Sequence, residues 1–288
     1  MRFTITCPDC CSAVGERVES PTVRLSSGPP VGDRRTGNRW YAGVLGIVGL
    51  ILLWWVAGAL EWFHGTIPTP GAVLATIADT GASFYLDNFS STVELALRGF
   101  LWGNGLAIGL AVLVVLIPPI EGLATQLAII SYCTPIIAVA PIIQVAFAQV
   151  QTMIVFLAAI SVFFTTMIGT LSGLRSPARG SLDLVKVYGG GRMSQLWRVR
   201  AVSALPSTLA AVKIAAPAAV LGAVLGEFLA MPDRGAGPAM IVAQQRGDIP
   251  EVWAIALLSG AIAGVAYAAI SVVARFATRW STGMAVLR

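Results

Sequence analysis

Long runs of apolar residues, separated by short polar segments, make up most of the chain after residue 40. Each run holds about 20 residues, the length that an α-helix needs to cross a hydrocarbon core roughly 30 Å thick. The runs contain Gly and Pro and lack the alternating ten-residue pattern of outer-membrane strands, so they predict helices. We therefore expect an all-α integral membrane protein with about six transmembrane helices. The predicted spans are about residues 42–60, 93–117, 123–148, 152–173, 209–230 and 252–276.

The polar segments differ from one another in composition. Residues 1–39 are rich in Pro, Ser, Gly and Arg without apolar periodicity, which predicts a disordered tail before a transmembrane domain at 40–288. Residues 61–92 contain no Lys or Arg, and we expect an external loop with a short surface helix there. Residues 174–207 are basic but also contain regularly spaced apolar residues.

Composition and charge further narrow the class of membrane protein to which the chain can belong. Of the 288 residues 56% are hydrophobic and 11% charged, against about 25% charged in an ordinary soluble domain. Sixteen of the 19 basic residues lie in the tail, in or beside the 174–207 loop, or at the carboxyl end. The positive-inside rule therefore predicts a multi-pass protein of the cell (plasma or inner) membrane with both termini cytoplasmic. Because the loops hold these charges and no separate basic domain exists, we expect no nucleic-acid partner.

The cytoplasmic loop at 174–207 predicts two short helices. Leu182, Val185 and Tyr188 recur at spacings of three, which places them on one helical face. The glycines at 189–191 end that helix, and a second amphipathic segment begins near Arg192. Two short helices joined by glycine predict a compact protrusion on the cytoplasmic side.

This loop resembles the signature loop of permease subunits of binding-protein-dependent ABC importers, whose pattern is Glu-Ala-Ala, three residues, Gly, and later Leu-Pro. The corresponding residues in this chain are Asp183, Leu184, Val185, Gly189, Leu205 and Pro206. Arg192 and the interval from glycine to proline agree with the nitrate, sulfonate and taurine branch of the family. The resemblance implies the type I permease architecture and a coupling helix that docks in a groove of the ATPase subunit.

The resemblance continues from about Thr92 to Phe276, with the segments in the family's order. The matching segments are the proline-rich third span at 134–141, Gly173-Leu-Arg175, Gly226-Glu-Phe-Leu229 and Gly235-Ala-Gly237. The chain departs from the pattern where bulkier Leu184 and Val185 replace two alanines and where Asp183 replaces glutamate. It is identified as a divergent member of the family.

The resemblance implies a transport subunit rather than an enzyme. A second permease copy, as a homodimer, would complete the translocation pathway within the lipid bilayer, and an extracytoplasmic solute-binding protein would deliver the solute. Cytoplasmic ATP-binding subunits would carry ATP and Mg²⁺, and no cofactor is expected on this chain. In agreement, the glycines at 189–191 lack the Gly-Lys-Ser/Thr ending of a phosphate-binding loop. The expected solute is a small organic or inorganic anion such as a sulfonate, taurine or nitrate, with a vitamin-precursor heterocycle as the alternative.

Polar residues and prolines within the third and fourth spans, together with a glutamate at the end of the fifth, are candidates for the solute pathway. These are Ser131, Thr134, Pro135, Pro141, Gln144, Thr165 and Glu227. Neutral hydrogen-bond donors can line a route for a small anion without trapping it. Helix packing is the alternative, since small hydroxyls also satisfy backbone groups that prolines leave unpaired.

Other interpretations of the sequence remain open. The basic loop resembles a segment that lies on anionic lipid, although lipid binding explains neither the glycine break nor the later Leu-Pro. A carrier or channel without an ATPase would predict titratable groups at mid-membrane or an inverted repeat, which we do not see. An intramembrane hydrolase would need a histidine within a span, whereas His64 lies in the external loop. Cys7, Cys10 and Cys11 lack a nearby histidine to complete a zinc site, and their role is open.

Overall fold

A computed structural model describes residues 39–60, 65–133 and 135–278. The predicted tail up to residue 38, the cysteines within it, His64 and Thr134 lie outside the described residues. Inter-residue contacts divide the chain into two units, residues 1–50 and 51–288. The described part of the first unit is the beginning of helix α1. The second unit contains the rest of the fold.

The described residues form eleven α-helices and no strand, which confirms the all-α prediction. Their bounds are α1 Arg39–Ala59, α2 Pro70–Thr80, α3 Ala82–Leu116, α4 Glu121–Cys133, α5 Ile136–Ala146, α6 Val150–Arg175, α7 Arg179–Val187, α8 Arg192–Gln195, α9 Ala201–Ala230, α10 Ala236–Arg246 and α11 Ile249–Ala277. A 3₁₀ turn at Pro118–Ile120 precedes α4, and a π-helical turn at Leu196–Arg200 joins α8 to α9. Four helical runs in the described residues are long and apolar enough to cross a membrane: α3, α6, Arg192–Ala230 and α11.

The second and fifth spans are longer as helices than the apolar pattern indicates. Helix α3 begins at Ala82 and not near residue 93, because Tyr85 and Phe89 are buried and extend its packed face into the predicted external loop. At the other side of the molecule α8, the π-helical turn and α9 form one continuous run from Arg192. The second short helix of the predicted protrusion is therefore the beginning of the fifth span, and the loop is shorter than 174–207.

The third predicted span is two helices rather than one. Helix α4 ends at Cys133 and α5 begins at Ile136, with Pro135 as its N-cap residue. A proline has no backbone N–H and disfavours helical geometry at the residue before it, which accounts for a break at this point. Whether six segments cross the bilayer stays a prediction.

Helix α6 is central to the packed unit. It contacts α3 along one side and α9 along another, while α4 and α5 also lie against it and α11 packs on α9. Small residues allow the backbones to approach: a Cβ built on Gly222 of α9 would lie 2.9 Å from the Cα of Ala158 on α6. The buried residues at these contacts are mostly Ala, Val, Leu and Ile.

Candidate coupling surface and translocation residues

The predicted coupling segment begins with helix α7, which ends in a well-formed Schellman motif. Gly189 adopts the left-handed conformation at φ +75°. Its N–H donates to the carbonyl of Lys186 at 2.8 Å, and the N–H of Gly190 donates to the carbonyl of Val185 at 2.8 Å. These two bonds satisfy carbonyls that the helix end would otherwise leave unpaired. Gly189 therefore fixes the turn that separates α7 from α8.

Helix α7 presents apolar side chains to solvent at its end. Val187 is 83% exposed and Tyr188 84% exposed, and Leu184 is exposed one turn earlier. Leu182 and Val185 are half-buried, so the face of the helix that carries these two residues is turned toward the rest of the protein. We call Leu184, Val187 and Tyr188 the α7 apolar patch. Such a patch outside the membrane-spanning helices is typical of a protein–protein contact.

The charged residues Asp183 and Arg192 of the coupling segment make different kinds of contact. Asp183, at the position of the family's glutamate, is exposed and accepts a bond from Lys186 at 2.9 Å. Arg192 donates to the carbonyl of Leu116, the last residue of α3, at 3.4 Å. A cation at a helix C-terminus is favoured by the unpaired carbonyls and the helix dipole there.

A second arginine makes the same kind of contact with α6. Arg200, in the π-helical turn, donates to the carbonyl of Leu174 at 3.1 Å. Next to it, Arg175 forms an ion pair with Glu121 of α4 at 2.5 Å. The segment that carries the α7 apolar patch is therefore tied to the ends of α3 and α6, and α6 is tied to α4.

The Leu-Pro pair of the signature lies inside a helix and not in a loop. Leu205 and Pro206 are in the second turn of α9, where Leu205 is exposed and Pro206 half-buried. Proline cannot donate to the carbonyl four residues before it, and a π-helical turn lies just upstream at Leu196–Arg200. The π-helical turn contains Arg200, the residue that anchors the coupling segment to the end of α6.

The pathway candidates of the third span lie on the exposed side of α5. Pro135, Pro141 and Gln144 are all exposed, and Val145 beside them is 90% exposed. Thr134 is outside the described residues, and so is the side chain of Ser131. Thr165 is half-buried on α6. The structure thus places Pro141 and Gln144 on one face of α5 and Thr165 on a different helix.

Glu227, on α9, is completely buried at 0% exposure. Its Oε2 accepts from the hydroxyl of Thr92 on α3 at 3.0 Å and from the N–H of Gly237 on α10 at 3.0 Å. The N–H of Ala236 donates to the Thr92 hydroxyl at 3.0 Å, and the N–H of Gly235 donates to Asn88 at 3.2 Å. This Glu227 network joins α3, α9 and α10. A place in the solute pathway stays a prediction for Glu227, and the hydrogen bonds give it a structural role.

Comparison with known proteins identifies the family. The model of the family "Binding-protein-dependent transport system inner membrane component" matches residues 102–282. The chain belongs to this family. It is 27% identical over 214 residues, 74% of the chain and 86% of the relative, to a probable ABC transporter permease protein of Haemophilus influenzae. It is 24% identical over 259 residues, 86% and 90% of the two chains, to the putative aliphatic sulfonates transport permease protein SsuC of Bacillus subtilis.

A third relative has a different solute in its name. The permease is 27% identical over 180 residues, 62% of its own length and 72% of the relative, to the formylaminopyrimidine transport permease protein ThiX of Halalkalibacterium halodurans. The predictions of an ABC permease, of a transport function and of a multi-pass membrane protein are therefore confirmed. The family is that of the membrane component of transport systems that depend on a binding protein, which supports an ATPase and a solute-binding protein as partners.

Several residues that organise this permease are absent from the sequence-based candidates. Thr92 and Asn88 hold the Glu227 network, and Arg200 anchors the coupling segment. Thr92 and Asn88 lie four positions apart, which places two polar side chains on one face of an apolar helix; that spacing is a signal available in the sequence. Their partners are more than 130 positions away and carry no such signal. Within the described residues, no group of three potential metal ligands occurs.

Proposed function

We propose that this permease, paired with a second copy, forms the translocation pathway of an ABC importer for a small anion such as a sulfonate, taurine or nitrate. Both termini and the α7 apolar patch are cytoplasmic, and the patch binds an ATPase subunit that carries ATP and Mg²⁺. The observation that carries the proposal is the exposed apolar patch on a segment tied by Arg192 and Arg200 to the ends of α3 and α6.

The α7 apolar patch supplies the energetic reason for a partner. Val187 and Tyr188 are more than four-fifths exposed outside the helices that could span a membrane. Covering an apolar side chain of this size contributes about 1.5–3 kcal/mol. The hydrogen bonds of Gly189 and Gly190 hold the end of α7 in a fixed turn, so a partner bound to the patch moves the whole segment.

The two arginine contacts explain how such a movement reaches the membrane helices. Arg192 holds the end of α3 and Arg200 holds the end of α6, while α6 packs along α9 and α3. A displacement of α7 therefore pulls on helix ends rather than on flexible loops. This is the property that coupling of ATP hydrolysis to alternating access requires.

The broken third span supports a second copy and a pathway on its exposed side. In a bilayer, irregular backbone is tolerated where protein or a water-filled cavity covers it, and not against lipid. Cys133 and Pro135, on either side of the break, and the face with Pro141 and Gln144 are exposed among the described residues. We therefore place the second copy, and the solute route between the two copies, against α5.

The choice of solute is supported by the resemblance of the loop to the sulfonate branch and by the name of the Bacillus subtilis relative. A vitamin-related heterocycle is the second candidate, because the names of two relatives include formylaminopyrimidine and riboflavin. The identities to all of these relatives are 24–28%, so their names do not separate the two classes.

The test of the coupling surface is reconstitution of the permease in liposomes with its ATPase and binding protein. Val187→Glu puts a charge in the α7 apolar patch and is expected to abolish both co-purification of the ATPase and ATP-dependent uptake. Ser181→Glu adds the same charge at an exposed polar position of the same helix and is expected to keep both. Unchanged association and uptake in Val187→Glu would show that the patch is not the docking surface.

The solute class is tested by uptake in the same liposomes. Taurine, nitrate and an alkanesulfonate are offered separately from an aminopyrimidine and riboflavin, each with the binding protein present. Uptake of an anion alone supports the proposal. Uptake of a heterocycle alone replaces the solute class and leaves the ABC importer function intact.

A further inference from the structure

A cavity of about 810 Å³ lies at the end of the helices that is opposite to the coupling segment. Its walls are Ser91 and Leu95 of α3, Gln151 in the first turn of α6, and the loop between α9 and α10. Because Arg192 and Arg200 contact the other ends of α3 and α6, the cavity lies on the predicted outer side. A cavity of this volume is large enough to hold a small organic solute.

Two opposite charges of the α9–α10 loop line this cavity. Asp233 and Arg234 are neighbours in the chain, and both are exposed at the cavity wall. Within the part of the chain that the structure describes, neither of them forms an ion pair. The carboxylate and the guanidinium are therefore both available to a solute in the cavity. The hydroxyl of Ser91 and the amide of Gln151 add neutral hydrogen-bonding groups to the same walls.

The loop that carries these charges is fixed at both ends. Met231 adopts the left-handed conformation at φ 50°, and its N–H donates to the carbonyl of Glu227 at 2.9 Å, which ends α9. At the other end of the loop, the N–H of Gly235 donates to Asn88 at 3.2 Å. A Cβ on Gly235 would lie 2.6 Å from the carboxyl carbon of Glu227, so the loop packs directly on the Glu227 network. These contacts hold both charges at the cavity.

We propose that this cavity binds a small zwitterionic solute, such as the amino sulfonate taurine, before the solute enters the translocation pathway. The sulfonate pairs with the guanidinium of Arg234, and the ammonium pairs with the carboxylate of Asp233. A guanidinium forms two parallel hydrogen bonds to an oxyanion, and a carboxylate accepts strong hydrogen bonds from an ammonium. The inference rests on the proposed function, and it narrows the solute class from small anions to those that also carry a cation.

The lining residues favour a zwitterion over the other solutes. A simple anion such as nitrate, bound to Arg234, would lie close to the carboxylate of Asp233, and like charges repel. A vitamin-related heterocycle would be held by stacking on aromatic rings, but the described residues that line the cavity include no aromatic side chain. A docked binding protein is the other source of charged partners. The two charges line a concave site within one chain, which fits a small solute better than a protein surface.

The experiment is saturation-transfer NMR on the assembled permease and ATPase in nanodiscs, with the binding protein left out so that it contributes no binding. Taurine and ethanesulfonate are the probes, because they share the sulfonate and differ in the ammonium. The parent is expected to bind taurine more tightly. Asp233→Asn is expected to weaken taurine binding about fivefold, the upper range for an exposed ion pair, without weakening ethanesulfonate binding. Arg234→Gln is expected to weaken binding of both probes by similar factors.

Two matched variants are the controls. Asp79→Asn on α2 and Arg246→Gln in the last turn of α10 remove the same charges from exposed positions outside the lining, and both are expected to bind the probes like the parent. Equal affinity of the parent for the two probes, or parent-like taurine binding in Asp233→Asn or Arg234→Gln, would overturn the proposal. If these variants instead abolish stimulation of the ATPase by the binding protein and keep solute binding, the loop is a docking surface and the proposal is wrong.

Uptake in liposomes separates this inference from the proposed function. An importer that takes up taurine or another anion, but whose cavity variants bind taurine like the parent, overturns the cavity assignment and leaves the proposed function intact. Uptake of a heterocycle alone contradicts the solute class in both.

Discussion

Thr92 and Glu227 lie 135 positions apart in the chain, yet their side chains share a hydrogen bond of 3.0 Å. The Thr92 hydroxyl donates to Oε2 of Glu227 and accepts from the N–H of Ala236, so a single side chain bonds one oxygen of a buried acid and one buried N–H. Burial of a carboxylate is costly unless it is hydrogen-bonded. The sequence indicates a glutamate near the end of the fifth span but not that Thr92 meets it, because that contact depends on how α3 packs on α9.

Thr92→Val tests this residue-scale interpretation. Valine keeps the branched shape, but it removes the bond to Glu227 and leaves the N–H of Ala236 unpaired. We expect the free energy of unfolding in detergent to fall by about 1–3 kcal/mol, the cost of an unsatisfied buried group. Ser90→Ala removes an exposed hydroxyl that bonds locally to the carbonyl of Asp87 and is expected to change it by less than about 0.5 kcal/mol. Equal stabilities of the two variants would mean that the Glu227 network does not hold α10 in place.

At the scale of helices, the sequence predicts the elements better than their contacts. Apolar runs locate α6 and α11 closely, because residues at both ends of these helices change abruptly from apolar to polar or capping types. The pattern misses the break before Pro135 and the continuity from Arg192 into α9. Each proline removes one backbone donor, but the helix is interrupted at Pro135 and continues through Pro206, and the apolar pattern does not distinguish the two cases.

The spacing of the glycines in α3 likewise does not predict which face of the helix packs against its neighbour. Gly99, Gly103, Gly105 and Gly109 all have the four-residue spacing of close helix packing, but they fall on two different faces of α3. A Cβ on Gly103 would lie 2.5 Å from the carbonyl oxygen of Ala159 on α6, whereas Gly105 and Gly109 have nothing within 4 Å. The sequence offers two equivalent pairs, and the position of α6 decides which of them is used.

Replacing a glycine on each face of α3 by leucine tests which face packs on α6. Gly103→Leu forces a side chain into the backbone of α6, and we expect it to cost about 3 kcal/mol or to prevent assembly of a monodisperse protein. Gly105→Leu points into open space on the same helix, and the better helix propensity of leucine offsets other effects to within about 1 kcal/mol. Thermal unfolding followed by tryptophan fluorescence in detergent measures both. A Gly103→Leu protein as stable as Gly105→Leu would contradict the packing of α3 on α6.

At the scale of the whole molecule, one face of α5 is left uncovered by the other described residues. Val145 is 90% exposed, and Ile142 and Gln144 beside it are also exposed on a helix that begins at a break in the backbone. Exposed valine and isoleucine are compatible with lipid, but an interrupted helix at membrane depth is not. A surface covered by an identical copy through a two-fold axis would bring each α5 near its counterpart.

Cysteine cross-linking decides whether α5 lies at this two-fold interface. In a chain whose four native cysteines are replaced by alanine, Val145→Cys is expected to form a disulfide-linked dimer in membranes under mild oxidation, because equivalent residues near a two-fold axis approach one another. Val265→Cys, at a highly exposed position of α11 away from α5, is the control and is expected to stay monomeric on a non-reducing gel. The reverse result, with a dimer through Val265→Cys alone, would move the second copy to the α11 side.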